Sequence, residues 1–325
     1  MRIGLPGLLL PCLALLACEQ PVPVVEPVSC DPGLVAEGDL CVDIDECLTD
    51  NGGCEDLCEN LVGSYSCDCS EGILQSDGSC SDPCDDLEAY FSPVEEPLTE
   101  PPYWGTVWFS PDIITEEDPS AFEGLTYTGT GLRIMFDRRS ASWVELEAHL
   151  FDARFGETTT IEIQVNPEFS AEEAEVEALF YGQVIGQIPG FFFADLETVW
   201  IHRGYEGFGG GNNNLLIHTE MGEEYIRDGV LEEVFLHEGT HTSVDAHHSD
   251  NPLWLAAQEA DGMFISQYAQ EHPNREDLSE TVGPYLGMRF RSERMSEELN
   301  AIVNETLPNR VMYLDCLDLS MEILP

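Results

Sequence analysis

The chain has 325 residues, of which 63 are acidic and 12 are basic, so its formal net charge at pH 7 is -51. A charge of this size repels polyanions and excludes nucleic acid and anionic membrane surfaces as partners. Hydrophobic residues make up 43% of the chain, which is enough for a folded core. The length predicts one small module and one larger domain.

The first residues predict export. Residues 3–17 are almost wholly apolar but too few to span a bilayer, so residues 1–17 are interpreted as a signal peptide. The run Leu15-Leu16-Ala17-Cys18 resembles the bacterial lipobox, in which the cysteine is acylated and becomes the mature N-terminus. The resemblance implies a lipid on Cys18, as the only membrane contact, and a location at the bacterial cell envelope, facing the periplasm or the exterior. An ordinary secretory signal is the alternative. Residues 18–29 are rich in proline and predict an extended tether.

The cysteines also predict an oxidising compartment. Ten of the 12 cysteines remain when Cys12 in the signal peptide and Cys18 are set aside, and this even number predicts five disulfides. Nine of the ten lie between Cys30 and Cys84. The most economical interpretation pairs Cys84 with Cys316, which ties the start of the larger domain to its C-terminal segment.

A run of six cysteines follows the sequence Asp43-Ile44-Asp45-Glu46. The run comprises Cys47, Cys54, Cys58, Cys67, Cys69 and Cys80. Together with Gly63-Ser64-Tyr65, it closely resembles a calcium-binding EGF-like domain, with a core at residues 43–80 in a region that covers residues 30–84. The resemblance implies the disulfides Cys47–Cys58, Cys54–Cys67 and Cys69–Cys80, which spacing alone does not select. The segment from Cys30 to Cys41 resembles the last loop of a preceding, truncated EGF unit.

The same resemblance implies a calcium site in this module. Calcium prefers several oxygen ligands from carboxylates, amides and backbone carbonyls. In the family pattern, the side-chain oxygens come from Asp43, Glu46 and Asn60, and the backbone carbonyls come from Ile44, Leu61 and Ser64. The alternative is a module that its disulfides hold together without calcium.

Residues 85–325 contain a sequence that is typical of zinc hydrolases. His237-Glu238-Gly239-Thr240-His241 follows an apolar-acidic segment that predicts a helix, and residues i and i+4 of a helix lie on one face. His237 and His241 can therefore bind one zinc ion. Glu238 lies beside them and is predicted to act as general base on a water molecule that zinc activates. The alternative is a pair of ordinary surface histidines.

The elements before this motif predict an α+β domain with a mixed sheet followed by helices. Ile161–Val165 and Val199–His202 predict strands, and Ser170 with Glu173 forms a capping box that predicts the start of a helix. The apolar residues predicted for the buried face of this helix are Val176, Leu179, Phe180, Val184 and Ile188. Gly209–Asn214 predicts a turn.

The elements near the motif resemble those of zincin metallopeptidases. Leu215–Thr219 predicts a strand, and the chain from Glu224 onward predicts helices, among them Pro252–Gln270 and one that starts at Pro273. In zincins the strand before the zinc helix lies at the edge of the sheet and pairs with an extended substrate. The resemblance assigns that place to Leu215–Thr219 and implies a zincin-like metallopeptidase domain.

Zinc needs a third protein ligand, and Glu276 is favoured. Tyr268, Glu276 and Glu280 resemble the Tyr…Glu-x-x-x-Glu stretch of anthrax lethal factor-like gluzincins. The resemblance implies that Glu276 binds zinc and that Tyr268 lies over the substrate carbonyl. Glu280 follows one helical turn later and is expected to bond to a ligand histidine.

Two other residues compete with Glu276. His247 has the spacing of the metzincin pattern, but Val244 stands where that pattern needs a glycine. Glu259 has a spacing close to that of thermolysin-like enzymes, without the usual motif around it.

The motifs predict a zinc-dependent metallohydrolase anchored at the cell envelope, most simply a peptidase. Its expected partner is a peptide or protein substrate, and its expected cofactors are zinc and calcium. One alternative is a calcium-dependent adhesion or binding protein whose zincin-like domain is inactive. Another is a non-peptidase metallohydrolase or a metal-storing surface protein.

Overall fold

The structure is a computed structural model that describes residues 29–70, 72–75, 77–106 and 113–325. The predicted signal peptide, the lipidation site at Cys18 and nearly all of the tether lie outside the described residues. The chain divides into a first unit that ends at Asp82 and a second unit, Pro83–Pro325. Within the described ranges, no helix combines the length and the apolar character that crossing a bilayer requires.

The first unit contains three short antiparallel strand pairs. They are β1 (Leu34–Glu37) with β2 (Leu40–Asp43), β3 (Leu57–Leu61) with β4 (Ser64–Asp68), and β5 (Ile73–Leu74) with β6 (Cys80–Ser81). Its disulfides are Cys30–Cys41, Cys47–Cys58, Cys54–Cys67 and Cys69–Cys80. Among the described residues of this unit, Cys54 alone is buried. The disulfides therefore supply the stability that a hydrophobic core supplies in larger domains.

The second unit contains a six-stranded mixed sheet. Its strands are β7 (Phe122–Asp137), β8 (Ser142–Phe155), β9 (Thr159–Val165), β10 (Thr198–His202), β11 (Gly209–Gly211) and β12 (Asn214–His218). Their order in the sheet is β11-β12-β10-β9-β8-β7. β10 is parallel to β9 and to β12, and the remaining pairs are antiparallel.

Helices cover this sheet and make up most of the chain after it. In the described ranges they are α1 (Ala171–Ile185), α2 (Thr219–Asp228), α3 (Leu231–Ser243), α4 (Asp245–His248), α5 (Pro252–Asp261), α6 (Gln267–Glu271), α7 (Asp277–Phe290), α8 (Glu297–Thr306) and α9 (Pro308–Asp315). A disulfide-rich module followed by a mixed sheet and helices confirms the predicted α+β class.

α1 connects the parallel strands β9 and β10. It begins at the predicted capping box, in which Ser170 and Glu173 each accept a hydrogen bond from the other's backbone N–H. The predicted buried face is wrong in part, because Val176 and Leu179 are 65% and 51% exposed. The buried residues of this helix are Ala174, Ala178, Tyr181, Gly182, Val184 and Ile185. A Cβ at Gly182 would lie 2.8 Å from the Phe122 ring, so the helix packs too closely for a side chain at that position.

Four predicted element boundaries are wrong. The strand predicted at Leu215–Thr219 ends at His218, and α2 begins at Thr219 rather than near Glu224. The helix predicted from Pro252 to Gln270 is interrupted at Gly262, whose φ of 65° ends α5. The next long helix starts at Asp277 and not at Pro273. Local sequence identifies these helices but leaves their ends uncertain by a few residues.

The core of the second unit lies between the sheet and the helices α1 and α3. Phe151, Ile163 and Ile217 contribute from the sheet, and Phe235 contributes from α3. The disulfide Cys84–Cys316 joins residues 232 positions apart and closes the unit from its first turn to its last helix.

Candidate metal centre

α3 carries the HExxH sequence and is fixed by its neighbours in the sheet. Phe235 and Leu236, just before the motif, are buried in the core. The Thr242 hydroxyl donates to the Asn214 carbonyl at 2.8 Å and accepts from the Gly211 N–H at 3.0 Å. These two bonds hold the end of α3 against β11 and β12.

His237, His241 and Glu276 meet at one point. Their side chains come from one face of α3 and from the residue that caps α7. The two Nε2 atoms lie 3.2 Å apart, and Glu276 Oε2 lies 3.2 Å from His241 Nε2 and 3.5 Å from His237 Nε2. Ligand bonds of about 2.0–2.2 Å in a tetrahedral site place two donor atoms about 3.4 Å apart. The three atoms therefore fit one face of a tetrahedral zinc site.

The second ring nitrogen of each histidine faces a carboxylate. His241 Nδ1 lies 2.6 Å from Asp245 Oδ2, and His237 Nδ1 lies 3.5 Å from Glu280 Oε1. Ser266 donates to the other Glu280 oxygen at 2.8 Å. Such contacts orient imidazole rings toward a metal. The sequence predicts this role for Glu280 but not for Asp245, although Asp245 follows His241 by one helical turn.

The carboxylates and the histidines of the centre shift one another's pKa values. Burial alone would raise the pKa of the Glu276 carboxyl, but hydrogen bonds with His237 and His241 hold that pKa well below its usual range. Burial alone would lower the pKa of His241, but the bonds to Asp245 and Glu276 raise it to about 10. A proton on His241 therefore offsets part of the negative charge of Asp245 and Glu276, as a bound cation would.

Tyr268, on α6, touches the other oxygen of Glu276. Its hydroxyl donates to Glu276 Oε1 at 2.9 Å, and Arg275 Nε donates to the same atom at 2.7 Å. Tyr268 therefore orients the carboxylate of Glu276 in this geometry. It also lies on the wall of the adjoining cleft. To reach a substrate carbonyl, its hydroxyl has to leave Glu276.

A buried ion pair fixes the start of α7. Arg310 is fully buried, and its Nη1 donates to Asp277 Oδ1 at 2.9 Å while its Nε lies 3.3 Å from Asp261 Oδ2. Burial raises the pKa of both aspartates, and Arg310 opposes that rise. Because Asp277 directly follows Glu276, the ion pair anchors the backbone from which the Glu276 carboxylate extends.

The other two ligand candidates lie apart from these three donor atoms. The His247 side chain is 58% exposed and lies 2.6 Å from Asp195 Oδ2. Glu259 is exposed on α5. Val244, with φ of -119° and ψ of -45°, stays in the right-handed helical region. The chain therefore continues into α4 and does not turn back toward the centre.

The centre opens into a cleft of about 720 Å³, and Glu238 lies on its wall beside the two histidines.

The predicted edge strand is wrong, because β12 has β10 on one side and β11 on the other. Gly209–Gly211 forms the edge instead. The turn predicted there lies at Asn212 and Asn213, whose φ values of 51° and 58° are typical of a two-residue hairpin turn.

Glycine is required where this edge strand passes α3. A Cβ on Gly210 would lie 1.9 Å from the Glu238 carbonyl oxygen and 2.9 Å from His241 Cβ. The backbone of β11 therefore runs directly along the helix that carries the metal-ligand candidates. The sequence signal for this hairpin is the run of three glycines followed by three asparagines, Gly209–Asn214.

In the first unit, the residues predicted to bind calcium lie around the end of β2. Asn60 Nδ2 donates to Asp43 Oδ2 at 2.9 Å. Glu46 Oε2 is buried without a hydrogen-bond partner among the described residues. Ile44 follows β2 directly, and Leu61 pairs with Ser64 at the end of the β3–β4 hairpin. The carboxylates of Asp43 and Glu46 and the amide of Asn60 are the kinds of oxygen ligand that calcium prefers.

Comparisons with curated proteins identify relatives of part of the chain. It is 37% identical over 75 residues to fibulin-5 of Rattus norvegicus, which covers 20% of this chain and 17% of that protein. It is 48% identical over 49 residues to multiple epidermal growth factor-like domains protein 6 of Homo sapiens, which covers 15% of this chain and 3% of that protein. It is 44% identical over 52 residues to protein disulfide isomerase CRELD1 of Homo sapiens, covering 16% and 12%.

The chain thus spans less than a fifth of the length of these relatives. No protein-family model and no solved structure matches it significantly. Five disulfides and similarity to extracellular proteins indicate a secreted or extracellular protein. The N-terminal part of the chain is an EGF-like, disulfide-rich module of the calcium-binding type.

Proposed function

We propose that the second unit is a zincin-like, zinc-dependent hydrolase of peptide bonds. The observation that carries the proposal is the triangle of donor atoms from His237, His241 and Glu276, with edges of 3.2, 3.2 and 3.5 Å. A cleft large enough for a peptide segment adjoins this triangle, and Glu238 lies on its wall. A carboxylate beside an open metal position is the arrangement that water-activating hydrolases use.

In this proposal, one set of residues holds the metal and another set orients those ligands. His237, His241 and Glu276 hold the metal, while Asp245 and Glu280 orient the two imidazoles. A bound zinc ion supplies Lewis-acid chemistry, because it lowers the pKa of a water molecule and polarises a carbonyl group.

The remaining steps are proton transfers and substrate binding. Glu238 takes the proton of the attacking water and passes it to the leaving amine. Tyr268 orients Glu276 until a substrate arrives and then has a hydroxyl that can donate to the developing oxyanion. The edge strand β11 offers backbone groups for pairing with an extended peptide.

The test compares Glu238→Gln with Glu220→Gln, an exposed glutamate on α2. We expect both variants to bind one zinc ion per chain, as the unaltered protein does. Glu238→Gln should lose about 10²–10⁴-fold in peptide cleavage because an amide cannot accept the proton. Zinc content is measured by mass spectrometry and cleavage with a mixed peptide library. Equal cleavage by Glu238→Gln and the unaltered protein contradicts the role of Glu238.

We further propose that a lipid on Cys18 holds the protein at the cell envelope, with both units facing away from the cytoplasm. Support comes from the sequence Leu15-Leu16-Ala17-Cys18. Cys18→Ser should move the protein from the membrane fraction to the soluble fraction. The control is Cys12→Ser, which lies inside the predicted signal. Unchanged membrane retention of Cys18→Ser contradicts lipid anchoring.

We infer a second candidate function from the EGF-like module, namely calcium-dependent binding by a protein whose second unit is inactive. Its support is the similarity to fibulin-5 and the buried Glu46 Oε2, which has no hydrogen-bond partner among the described residues. Asp43→Asn combined with Asn60→Ala should weaken calcium binding to the full chain at least tenfold. Asp39→Asn, in the exposed β1–β2 turn, is the control for diffuse acidic attraction. Specific calcium binding without any zinc or cleavage favours this candidate over the hydrolase.

A further inference from the structure

Arg138 places a positive charge on the wall of the metal cleft. It lies in the tight turn between β7 and β8, and it lines the same cavity as His237 and Glu238. It also lines a second cavity of about 270 Å³, whose walls include Trp143 and Trp200. The guanidinium is therefore accessible to a molecule bound in the cleft, and an apolar wall lies on its other side.

Among the described residues, Arg138 has no ion pair of the kind that its neighbour Arg139 forms. Arg139 lies 2.8 Å from Asp137 and 2.8 Å from Glu168. In the part of the chain that the structure describes, no carboxylate lies within 4.0 Å of Arg138. With 63 acidic and 12 basic side chains in the molecule, a cation without a carboxylate partner has a charge to offer a ligand.

The edge strand β11 brings this charge close to the metal helix. A Cβ on Gly209 would lie 2.8 Å from Arg138 Nη2, and a Cβ on Gly210 would lie 1.9 Å from the Glu238 carbonyl oxygen. Consecutive residues have Cα atoms about 3.8 Å apart, so the guanidinium and α3 contact neighbouring positions of one strand. A peptide that pairs with this strand would therefore place one of its own groups beside Arg138. That group would lie within one or two residues of the peptide bond to be cleaved beside Glu238.

We propose that Arg138 is a specificity-determining residue that binds a carboxylate of the substrate near the bond to be cleaved. Arginine suits this task because its planar guanidinium forms paired hydrogen bonds with a carboxylate. The carboxylate belongs either to an aspartate or glutamate side chain or to a free C-terminus. The proposal rests on the proposed peptide-hydrolase function, because that function supplies the peptide.

Binding tests the proposal apart from cleavage. Glu238→Gln protein is equilibrated with a random peptide library prepared in two forms, one with a free C-terminal carboxyl and one with a C-terminal amide. Bound peptides are identified by mass spectrometry. We expect about tenfold enrichment either of acidic residues at one position or of the free-acid form, and the two libraries distinguish these sources.

Three further variants in the Glu238→Gln background make the test specific. Arg138→Gln should abolish the enrichment, and Arg138→Glu should replace it with enrichment of basic residues. The control is Arg154→Gln, because Arg154 is exposed and does not line the metal cleft. This variant should leave the enrichment unchanged. Arg138 is exposed, so its variants should fold as the unaltered protein does. Thermal unfolding of each variant checks this.

The outcomes separate the two proposals. Enrichment that is absent, or that survives in Arg138→Gln, overturns the role of Arg138. Enrichment that depends on Arg138, together with no cleavage of any library peptide by the zinc-loaded protein that retains Glu238, supports the binding role and contradicts the hydrolase.

Discussion

At the residue scale, the metal centre takes its third donor atom from outside α3. Glu276 Oε2 lies within 3.5 Å of both histidine Nε2 atoms, whereas His247 bonds to Asp195 at the surface. Losing a residue that merely orients a ligand costs about 10–100-fold in metal affinity, and losing a ligand should cost at least as much.

We expect Glu276→Ala to weaken zinc binding by at least 100-fold, with His247→Ala and Glu259→Ala close to the unaltered protein. The physical reason is that neither of the latter side chains lies near the donor triangle. Competition with a chelator of known affinity measures the difference. Loss of zinc in His247→Ala with retention in Glu276→Ala would mean that the centre follows the metzincin pattern.

A buried histidine pair also makes stability depend on pH. His202 and His218 are fully buried, and their rings stack with centroids 5.3 Å apart. Burial lowers the pKa of His218 and lowers that of His202 to about 4, although Asp137 opposes both shifts. An unfolded histidine has a pKa of about 6.5. The unfolded chain therefore binds more protons between about pH 6.5 and pH 4, and stability falls as the pH drops through this window.

We expect His202 to account for a loss of about 2 kcal/mol in the free energy of unfolding between pH 7.5 and pH 5. His202→Gln should show a correspondingly smaller loss, because glutamine does not titrate. Urea unfolding at the two pH values measures both. His247→Gln removes an exposed histidine and should keep the full pH dependence. Identical pH dependence in His202→Gln and the unaltered protein would contradict this origin.

At the element scale, β11 combines the edge of the sheet with close contact to α3. The contact is possible because Gly210 has no side chain where the strand meets the Glu238 carbonyl. Overpacking of such a contact typically costs about 1–3 kcal/mol. The strand, and not the helix, has space to move outward, because it lies at the edge of the sheet.

Gly210→Ala should therefore lower the free energy of unfolding by about 1–3 kcal/mol and reduce cleavage by displacing the edge strand. Gly105→Ala is the matched control, since a Cβ at Gly105 would meet no atom within 4 Å. Chemical unfolding and a peptide-cleavage assay measure the two effects. A Gly210→Ala protein as stable as Gly105→Ala would show that β11 does not press against α3.

Local signals were predictable from the sequence, and non-local pairing was not. The capping box at Ser170 involves neighbours in the chain, so it could be identified without the fold. The pairing of Gly209–Gly211 with β12 depends on which strand reaches the edge of the sheet, which is a long-range property. For the same reason Arg138 carried no signal in the sequence, because the sheet brings its turn to the cleft.

The spacing of the metal-ligand candidates shows the same division. His237 and His241 are related by one helical turn, so their shared face followed from the sequence alone. Asp245 extends that spacing by another turn and was equally accessible. Glu276 needed the resemblance to gluzincins, since 35 residues separate it from His241. The close contact between Tyr268 and Glu276 was visible only in the structure.

At the scale of the whole molecule, one long-range disulfide closes the second unit. Cys84 and Cys316 are 232 residues apart, so the bridge closes a long loop and lowers the conformational entropy of the unfolded chain. The chain-entropy estimate for a loop of this length is about 5 kcal/mol, and measured effects are often smaller.

We expect the double variant Cys84→Ser/Cys316→Ser to lower the free energy of unfolding of the second unit by about 3–5 kcal/mol. All 5 tryptophans lie in this unit, so tryptophan fluorescence follows its unfolding. Cys30→Ser/Cys41→Ser removes a bridge from the first unit and should leave that transition unchanged. A second unit that is equally stable without its bridge would show that the closed loop contributes nothing.

The disulfides also divide the chain in a way that matters for its release. Four bridges lie wholly before Asp82, and the fifth lies wholly after it, so none crosses the junction between Asp82 and Pro83. A single proteolytic cut there would leave two pieces with no covalent link, and each would keep its complete set of bridges. If a lipid holds the N-terminus, that cut would shed the second unit into the medium as a diffusible, still cross-linked protein.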